Sequence, residues 1–393
     1  MELSLPAGQP AVVYVELPVT PRNHLGPEAP TVEAEPAALE AAPPSPEEAD
    51  AAKPLRAREV PVGAAQTEEP GQPEAHLERG HAVAPACLLY HAGGLGDFVL
   101  SLQAVMRVQE SQPGARWAYW GPADRLPLLP GFAPAPPELL RFGHTLWGDE
   151  PAPEALDALR RFKVVLAFGG ETPPPWISRA RGRILPVSSL PGDGGRWVPA
   201  HQARQLDAIG ISRGEVSLRL RDWRESVLPQ RKPEVIVLHP GSGDPKKNLP
   251  PSAWADVIDR VKRETGVPVR IVLGPAEKER DGARGLDRVA DAVETSESVA
   301  EFLKILAGAR LFVGNDSGAT HLAASLGIPT LAVFGPSDSK LWRPLGPRVR
   351  VVASRQPCAP CTAGGPIRCD SPSCLHEMET REVADAAVQL LAG

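Results

Sequence analysis

Residues 86–108 read ACLLYHAGGLGDFVLSLQAVMRV, and this stretch decides the class of fold. The apolar run at 86–91 is typical of a short buried strand, and the glycines behind it form a turn. Apolar residues then recur at helical spacing from Phe98 to Val108. A strand, a glycine turn and a helix in this order form the repeating unit of parallel α/β sheets.

The same alternation continues as far as residue 334. The charged, proline-bounded segment 220–233 interrupts this alternation and is interpreted as a hinge. Ser252 is the predicted N-cap of the helix at 252–265. The pattern predicts an α/β protein with two doubly wound domains that face a cleft, at 83–225 and 226–393, with ligands at the carboxyl ends of the strands. Strands are predicted at 86–91, 115–120, 163–168, 183–187, 235–238, 269–273, 311–313 and 330–334, and helices at 98–108, 202–209, 252–265, 277–284, 298–309 and 320–326.

Residues 1–82 are predicted to be a disordered acidic tail rich in Pro, Ala and Glu. The first 80 residues hold 14 of the 46 prolines, with 14 acidic and 5 basic side chains. Such a composition cannot bury enough apolar surface to offset the entropy of ordering. The whole chain of 393 residues has a net charge of −6, so the part after residue 80 is only mildly basic. This balance argues against a nucleic-acid partner.

The first motif, at 91–97, places Asp97 at the start of a helix behind Gly94 and Gly96. The glycines let backbone N–H groups approach a ligand, and an ionised carboxylate at a cleft can accept a proton from an attacking hydroxyl. The alternative is that Asp97 only caps its helix. A dinucleotide fingerprint is disfavoured because Val99 stands where the third glycine is required.

The second motif, HPGSGDPKKNLP at 239–250, also follows a strand directly. Ser242 offers a hydroxyl and a backbone N–H, and Lys246 or Lys247 supplies a positive charge for a diphosphate. The spacing of a Walker loop is absent, so ATP hydrolysis is not indicated. An ordinary exposed basic loop is the alternative.

The third motif occupies 312–329, with FGPSD at 334–338 behind it. Asp316, Ser317 and Gly318 stand where a strand passes into a helix, so their N–H groups point at an anion in the cleft. His321 lies one turn into that helix, where it either donates to a phosphate or is a buried structural histidine.

These three motifs, in this order, resemble glycosyltransferase family 9, the ADP-heptose:lipopolysaccharide heptosyltransferases. The resemblance extends from Ala86 to the C-terminus. It implies a GT-B fold of two Rossmann-like domains, with the nucleotide-sugar bound mainly by the C-terminal one. The implied reaction is inverting, metal-independent transfer of a heptose from ADP-heptose to the lipopolysaccharide inner core, with no cofactor required for catalysis.

The resemblance also assigns roles to residues. Asp97 is the general base, and Lys247 neutralises the departing diphosphate. Glu277 or Glu279 contacts the ribose, and the phosphates are cradled by Asp316, Ser317, Gly318 and His321. Leu249 departs from the family, in which Trp is frequent at that place. No Asp-x-Asp frame occurs in the sequence, so the usual divalent-metal clamp of the other glycosyltransferase architecture is not indicated.

The implied partners are the nucleotide-sugar and a lipid A–core oligosaccharide acceptor. No apolar run is long enough to span a bilayer and no signal peptide is recognisable, so a cytoplasmic protein is expected, with peripheral contact to the inner membrane. Arg179, Arg181 and Arg183 either meet a phosphorylated acceptor or form a solvated basic stretch. Three tryptophans either stack on sugars or fill the core, namely Trp117, Trp120 and Trp176.

Three other readings stay open from the residues alone: a GT-B transferase for another nucleotide-hexose, a nucleotide-sugar epimerase or hydrolase, and a catalytically silent binding scaffold. Four of the five cysteines lie in the last 36 residues. The spacing of Cys358, Cys361, Cys369 and Cys374 is compatible with a structural zinc site, with free or redox-paired thiols as the alternative. The fifth, Cys87, is expected in the core.

Overall fold

The computed structural model describes residues 86–170, 173–190, 195–211, 216–280, 284–362, 366–370 and 372–393, without the side chains of 216–219. The predicted tail at 1–82 lies outside these residues. Within the described part of the chain no helix is both long and apolar enough to cross a membrane.

The N-terminal half is built on a parallel sheet of five strands in the order β3-β2-β1-β4-β5. Its strands are β1 (Cys87–Tyr90), β2 (Trp117–Trp120), β3 (Phe132–Pro134), β4 (Val164–Gly169) and β5 (Arg183–Ser188). Its helices are α1 (Leu95–Glu110), α2 (Pro137–Phe142), α3 (Pro153–Arg160), α4 (Val198–Ala208) and α5 (Val216–Val227), with 3-10 turns at Ala123–Leu128, Gly143–Trp147 and Pro175–Arg179.

The C-terminal half contains a second parallel sheet of six strands in the order β11-β10-β9-β6-β7-β8. Its strands are β6 (Val235–His239), β7 (Val269–Leu273), β8 (Ala292–Thr295), β9 (Ala309–Asn315), β10 (Thr330–Phe334) and β11 (Val349–Ala353). Its helices are α6 (Pro251–Thr265), α7 (Pro275–Glu279), α8 (Val299–Leu306), α9 (Gly318–Ser325), α10 (Ser339–Trp342), α11 (Ser373–His376) and α12 (Thr380–Ala392), with a 3-10 turn at Pro245–Lys247.

Both sheets have the strand order of a Rossmann fold, in which the first strand is central and the order reverses beside it. In the N-terminal sheet the reversal falls between β1 and β4, and in the C-terminal sheet between β6 and β9. Loops that leave the carboxyl ends of these strands open a crevice there. The prediction of two Rossmann-like domains is confirmed, while the boundary between residues 225 and 226 stays a prediction.

Two segments differ locally from the predictions. The segment interpreted as a hinge contains α5, whose Leu220, Trp223 and Val227 are buried at helical spacing despite the charged residues between them. The Trp223 indole N–H donates to the Leu128 carbonyl at 2.8 Å, which attaches α5 to the N-terminal half. Ser252 is not an N-cap, because α6 begins one residue earlier and Pro250 occupies the cap position.

Candidate functional site

A cavity of about 610 Å³ lies at the carboxyl ends of the central strands and is lined from both halves of the protein. The N-terminal half contributes the glycine turn and Asp97, and the C-terminal half contributes the loops that follow β6, β7 and β9. All three sequence motifs therefore meet at one site. Of the predicted site residues, those that line the cavity are Gly94, Gly96, Asp97, Ser242, Lys247, Glu277, Asp316, Ser317, Gly318 and His321.

Asp97 stands in the first turn of α1, where the Gly94 backbone N–H donates to its Oδ2 at 3.0 Å. Burial raises the pKa of the Asp97 carboxyl, and the Gly94 hydrogen bond together with the charges of His321 and Lys247 opposes that rise. A carboxylate whose pKa is raised by burial accepts a proton more readily than an exposed one. Asp97 is thus a helix-capping residue whose carboxyl lines the cavity with a raised pKa.

Asp316 lies just before α9, whose first turn packs on that of α1, and its carboxyl is ionised. Its Oδ2 accepts from Lys247 Nζ at 3.0 Å, and its Oδ1 lies 3.4 Å from His321 Nε2. Burial alone would raise the pKa of Asp316, but the hydrogen bonds and charges of His321 and Lys247 hold it well below its usual range. A carboxylate that stays ionised repels a phosphate, so Asp316 is placed to orient Lys247 and His321 instead of donating to the anion.

Ser317 and Gly318 start α9. Ser317 is the N-cap, and its Oγ accepts from the Thr320 backbone N–H at 3.3 Å. The start of this eight-residue helix lines the cavity with Ser317, Gly318 and Ala319. The N–H of Asp316, which the sequence predicted to point at an anion, instead donates to the Val333 carbonyl at 3.0 Å.

The loop between β6 and α6 separates the two lysines. Lys247 turns into the cavity towards Asp316, whereas Lys246 Nζ donates to the Ile367 carbonyl at 3.2 Å and lies 3.6 Å from Asp370 Oδ1. Lys246 therefore holds the segment 366–370 and does not line the cavity, so the geometry selects Lys247 of the two candidates.

Asn315 is a site residue that the sequence reasoning missed. Its side chain is fully buried, with Nδ2 donating to the Pro240 carbonyl at 2.6 Å and Oδ1 accepting from the Leu249 N–H at 3.0 Å. It thereby fixes both ends of the loop that carries Lys247. The available signal was a polar side chain directly before Asp316 in an otherwise apolar strand.

Glu277 is the acid that faces the cavity, whereas Glu279 is exposed outside it. The Oε2 of Glu277 accepts from the Gly274 N–H at 3.1 Å, and the Oε1 of Glu277 lies 4.0 Å from His239 Nε2. Burial lowers the pKa of His239 against the opposing charge of Glu277, so this imidazole is neutral. Gly241 leaves the space that Glu277 fills, because a side chain there would collide with the Glu277 side chain.

The other candidates are structural or exposed. Trp117, Trp120 and Trp176 are buried in the N-terminal core, so they do not offer faces for sugars. Arg179 donates to the carbonyls of Leu146 and Gly148, while Arg181 and Arg183 are exposed.

The described residues show no zinc site at the four C-terminal cysteines, so zinc binding there stays a prediction. Cys358, Cys361 and Cys369 are exposed, while Cys374 is buried, with its pKa raised to about 11 by burial and by the three other thiols. Among the described residues, no group of three or more His, Cys, Asp or Glu side chains is arranged to hold a metal ion. Cys87 lies in the core, as predicted.

Comparison with known proteins agrees with this geometry. The sequence model of glycosyltransferase family 9 (heptosyltransferase) matches residues 201–366. Lipopolysaccharide heptosyltransferase 1 of Pseudomonas aeruginosa is 29% identical over 310 residues, which cover 70% of this chain and 85% of the relative.

Two solved structures share the fold. The ADP-heptose lipopolysaccharide heptosyltransferase II of Escherichia coli has a TM-score of 0.54 at 18% identity. The superposition covers 78% of this chain and 98% of the Escherichia coli chain. A glycosyltransferase family 9 protein of Veillonella parvula has a TM-score of 0.55 at 14% identity, with coverages of 78% and 97%.

Proposed function

We propose that this chain, which belongs to glycosyltransferase family 9, transfers a heptose from ADP-heptose to the inner core of lipopolysaccharide, with inversion and without a catalytic metal ion or cofactor. One observation carries the proposal. A half-buried carboxylate, Asp97, lines the same cavity as the Lys247, Asp316 and His321 group. A proton acceptor and an anion-binding group in one cavity are what a direct displacement at a sugar carbon requires.

The reaction follows from these positions. Asp97 removes the proton of the acceptor hydroxyl while its oxygen attacks the anomeric carbon of the donor. The bond from that carbon to the phosphate oxygen breaks with oxocarbenium character, and the electron pair leaves on the diphosphate. Attack and departure on opposite faces of the ring invert the configuration.

Charge on the leaving diphosphate is stabilised by the C-terminal half. Lys247 supplies a positive charge, and the first N–H groups of α9 supply the positive end of a helix dipole. Ser242 lines the same part of the cavity. A lysine has three donors, so Lys247 can bind the diphosphate while it keeps its hydrogen bond to Asp316.

The nucleoside is proposed to occupy the rest of the cavity. Glu277 offers a carboxylate to the ribose hydroxyls. Val272, Val299 and Phe302 form an apolar wall that suits a flat base. In this proposal the adenosine lies against the C-terminal sheet, and the acceptor binds beside Asp97.

The acceptor is proposed to be the lipid A–core oligosaccharide at the cytoplasmic face of the inner membrane, with the protein bound there peripherally. The exposed Arg181 and Arg183 are candidate contacts for its phosphates. Replacing both with serine is expected to raise the KM for the acceptor while the affinity for ADP stays the same.

The proposal is tested first by calorimetry of the full chain with ADP, UDP and GDP, with and without EDTA. Selective binding of ADP that EDTA does not change supports it, and is followed by an assay of transfer from ADP-heptose to a heptose-deficient acceptor. Preference for UDP or GDP would instead favour a nucleotide-hexose donor. Absence of binding would favour a silent scaffold.

A further inference from the structure

We infer that Gly96 and Gly318 are positioning residues for the transfer reaction, because their lack of side chains sets how closely the base can approach the diphosphate-binding group. The inference deepens the proposed function and rests on it. It concerns the contact between the first turns of α1 and α9, which belong to different halves of the protein and meet at the floor of the cavity.

The contact leaves no room for a side chain at Gly318. A Cβ there would lie 2.8 Å from Leu95 Cβ, 3.1 Å from Leu95 Cγ and 3.2 Å from the Gly96 backbone nitrogen. A change of the Leu95 rotamer would move Cγ, but it would leave the Leu95 Cβ and the Gly96 nitrogen where they are. The first turn of α1 would have to move away from α9.

Gly96 faces the same contact from the other side. A Cβ there would lie 3.2 Å from His321 Cδ2 and 3.7 Å from the Gly318 Cα. The imidazole of His321 is therefore packed on the backbone of the turn that carries Asp97.

Backbone conformation does not explain either glycine. Both lie in the first turn of a helix, and neither is among the glycines with positive φ, such as Gly327 and Gly266. Glycine inside a helix costs up to about 1 kcal/mol relative to alanine, so helix stability does not favour it here. The close approach of the α1 and α9 backbones is the remaining requirement, and only glycine satisfies it.

The contact between α1 and α9 sets the distance between Asp97 and the group of Lys247, Asp316 and His321. Asp97 directly follows Gly96, and His321 lies one turn after Gly318 beside Asp316 and Lys247. Widening the contact moves the base away from the group that binds the leaving diphosphate. A misplacement of about 1 Å in a reacting pair can lower a rate by about 100-fold.

The test compares Gly318→Ala with Gly308→Ala, whose added Cβ would have only the Ile305 carbonyl oxygen at 3.5 Å and the Lys232 carbonyl oxygen at 4.0 Å as neighbours. Three quantities are measured on the full chain: kcat for heptose transfer, Kd for ADP, and hydrogen exchange of the first backbone-bonded amides of α1 and α9, Phe98 and His321. We expect Gly318→Ala to lower kcat by about 10-fold to 100-fold, to leave the Kd for ADP within about threefold, and to speed exchange at both amides. Gly308→Ala should match the wild type in all three.

A second variant separates positioning from damage to α9 itself. Leu95→Gly removes the two atoms that the new Cβ would meet most closely. Adding it to Gly318→Ala should recover a large part of kcat and of the protection from exchange, relative to Leu95→Gly alone.

Three outcomes would overturn the inference: a kcat of Gly318→Ala within about threefold of the wild type, a parallel loss of kcat and ADP affinity, or no recovery by Leu95→Gly. If the wild type itself transfers no heptose, the proposed function fails separately. Hydrogen exchange then decides on the glycine contact, because unchanged exchange in Gly318→Ala would refute it without reference to any substrate.

Discussion

The pairing of Lys247 with Asp316 predicts a large effect of Lys247→Met on ADP binding. Methionine keeps much of the stem of the side chain and removes the charge. Lys247 Nζ lies 3.0 Å from Asp316 Oδ2 at the wall of the cavity, so it is held where a diphosphate would contact it. A hydrogen bond to a charged group contributes about 1.5 to 3 kcal/mol, which is a factor of about 13 to 160 in Kd.

The neighbouring carboxylate makes the loss depend on Asp316. In Lys247→Met the ionised Asp316 keeps His321 beside it but loses the ammonium group, so its charge acts directly against the diphosphate. Adding Asp316→Asn removes that charge. We expect the double variant to bind ADP more tightly than Lys247→Met by about 1 kcal/mol or more, which is about fivefold.

The assay is calorimetric titration of the full chain with ADP at two ionic strengths. Lys246→Met is the matched control, because it removes the neighbouring charge from a side chain that is bound to Ile367 outside the cavity. Its Kd should stay within about threefold of the wild type. The reasoning is refuted if Lys247→Met binds ADP as the wild type does, if Lys246→Met is equally impaired, or if Asp316→Asn weakens Lys247→Met further.

Four other predictions concern the proposed base, the proposed ribose site and the core. Asp97→Asn should lower kcat by about 100-fold to 10,000-fold with little change in ADP affinity, and a parallel loss of both would remove Asp97 as the base. In the wild type, kcat should rise with pH through a pKa above the ordinary value of about 3.9 for an aspartate. The reason is that burial raises the pKa of Asp97 and that only the ionised carboxylate accepts a proton. A kcat that does not change with pH down to about 3.9 would contradict this expectation. Gly241→Ala should weaken ADP binding by displacing Glu277 and leave the affinity for inorganic diphosphate the same, as competition experiments can show. Trp254→Ala should lower the free energy of unfolding by about 3 to 5 kcal/mol in denaturant titrations, because the indole is fully buried under the C-terminal sheet.

The sequence predicts the central strands and the edge strand β5 and misses the other edge strands, for a physical reason. β1, β4, β9 and β10 are buried along almost their whole length, so each contains an uninterrupted apolar stretch. The outer strands β3, β8 and β11 are only partly buried and contain polar or proline residues, so no apolar run marks them. Helix α5 was missed for a related reason, since charged residues separate its three buried apolar positions.

The site was predictable as a set of motifs but not as a set of contacts. Glycine turns and helix starts after strands indicate that Asp97, Lys247 and Asp316 belong to one cleft. Three features of the site depend on contacts between segments that are 69 to 121 residues apart in the sequence: Lys246 points away from the cavity, Asp316 is a partner of Lys247, and Asn315 fixes the loop. Local sequence patterns do not contain those contacts.

The order of strands in the C-terminal sheet has a consequence for how the chain folds during synthesis. β6 pairs with β9, whose first residue, Ala309, follows Val235 by about 70 residues. At 5 to 20 residues per second the ribosome needs roughly 4 to 14 s to synthesise these residues. During that time the apolar strand β6 has no β9 to pair with. Non-local parallel pairing is slow to form, and an unpaired central strand can associate with other chains. Expression at lower temperature or with more chaperone should therefore raise the soluble yield of this protein.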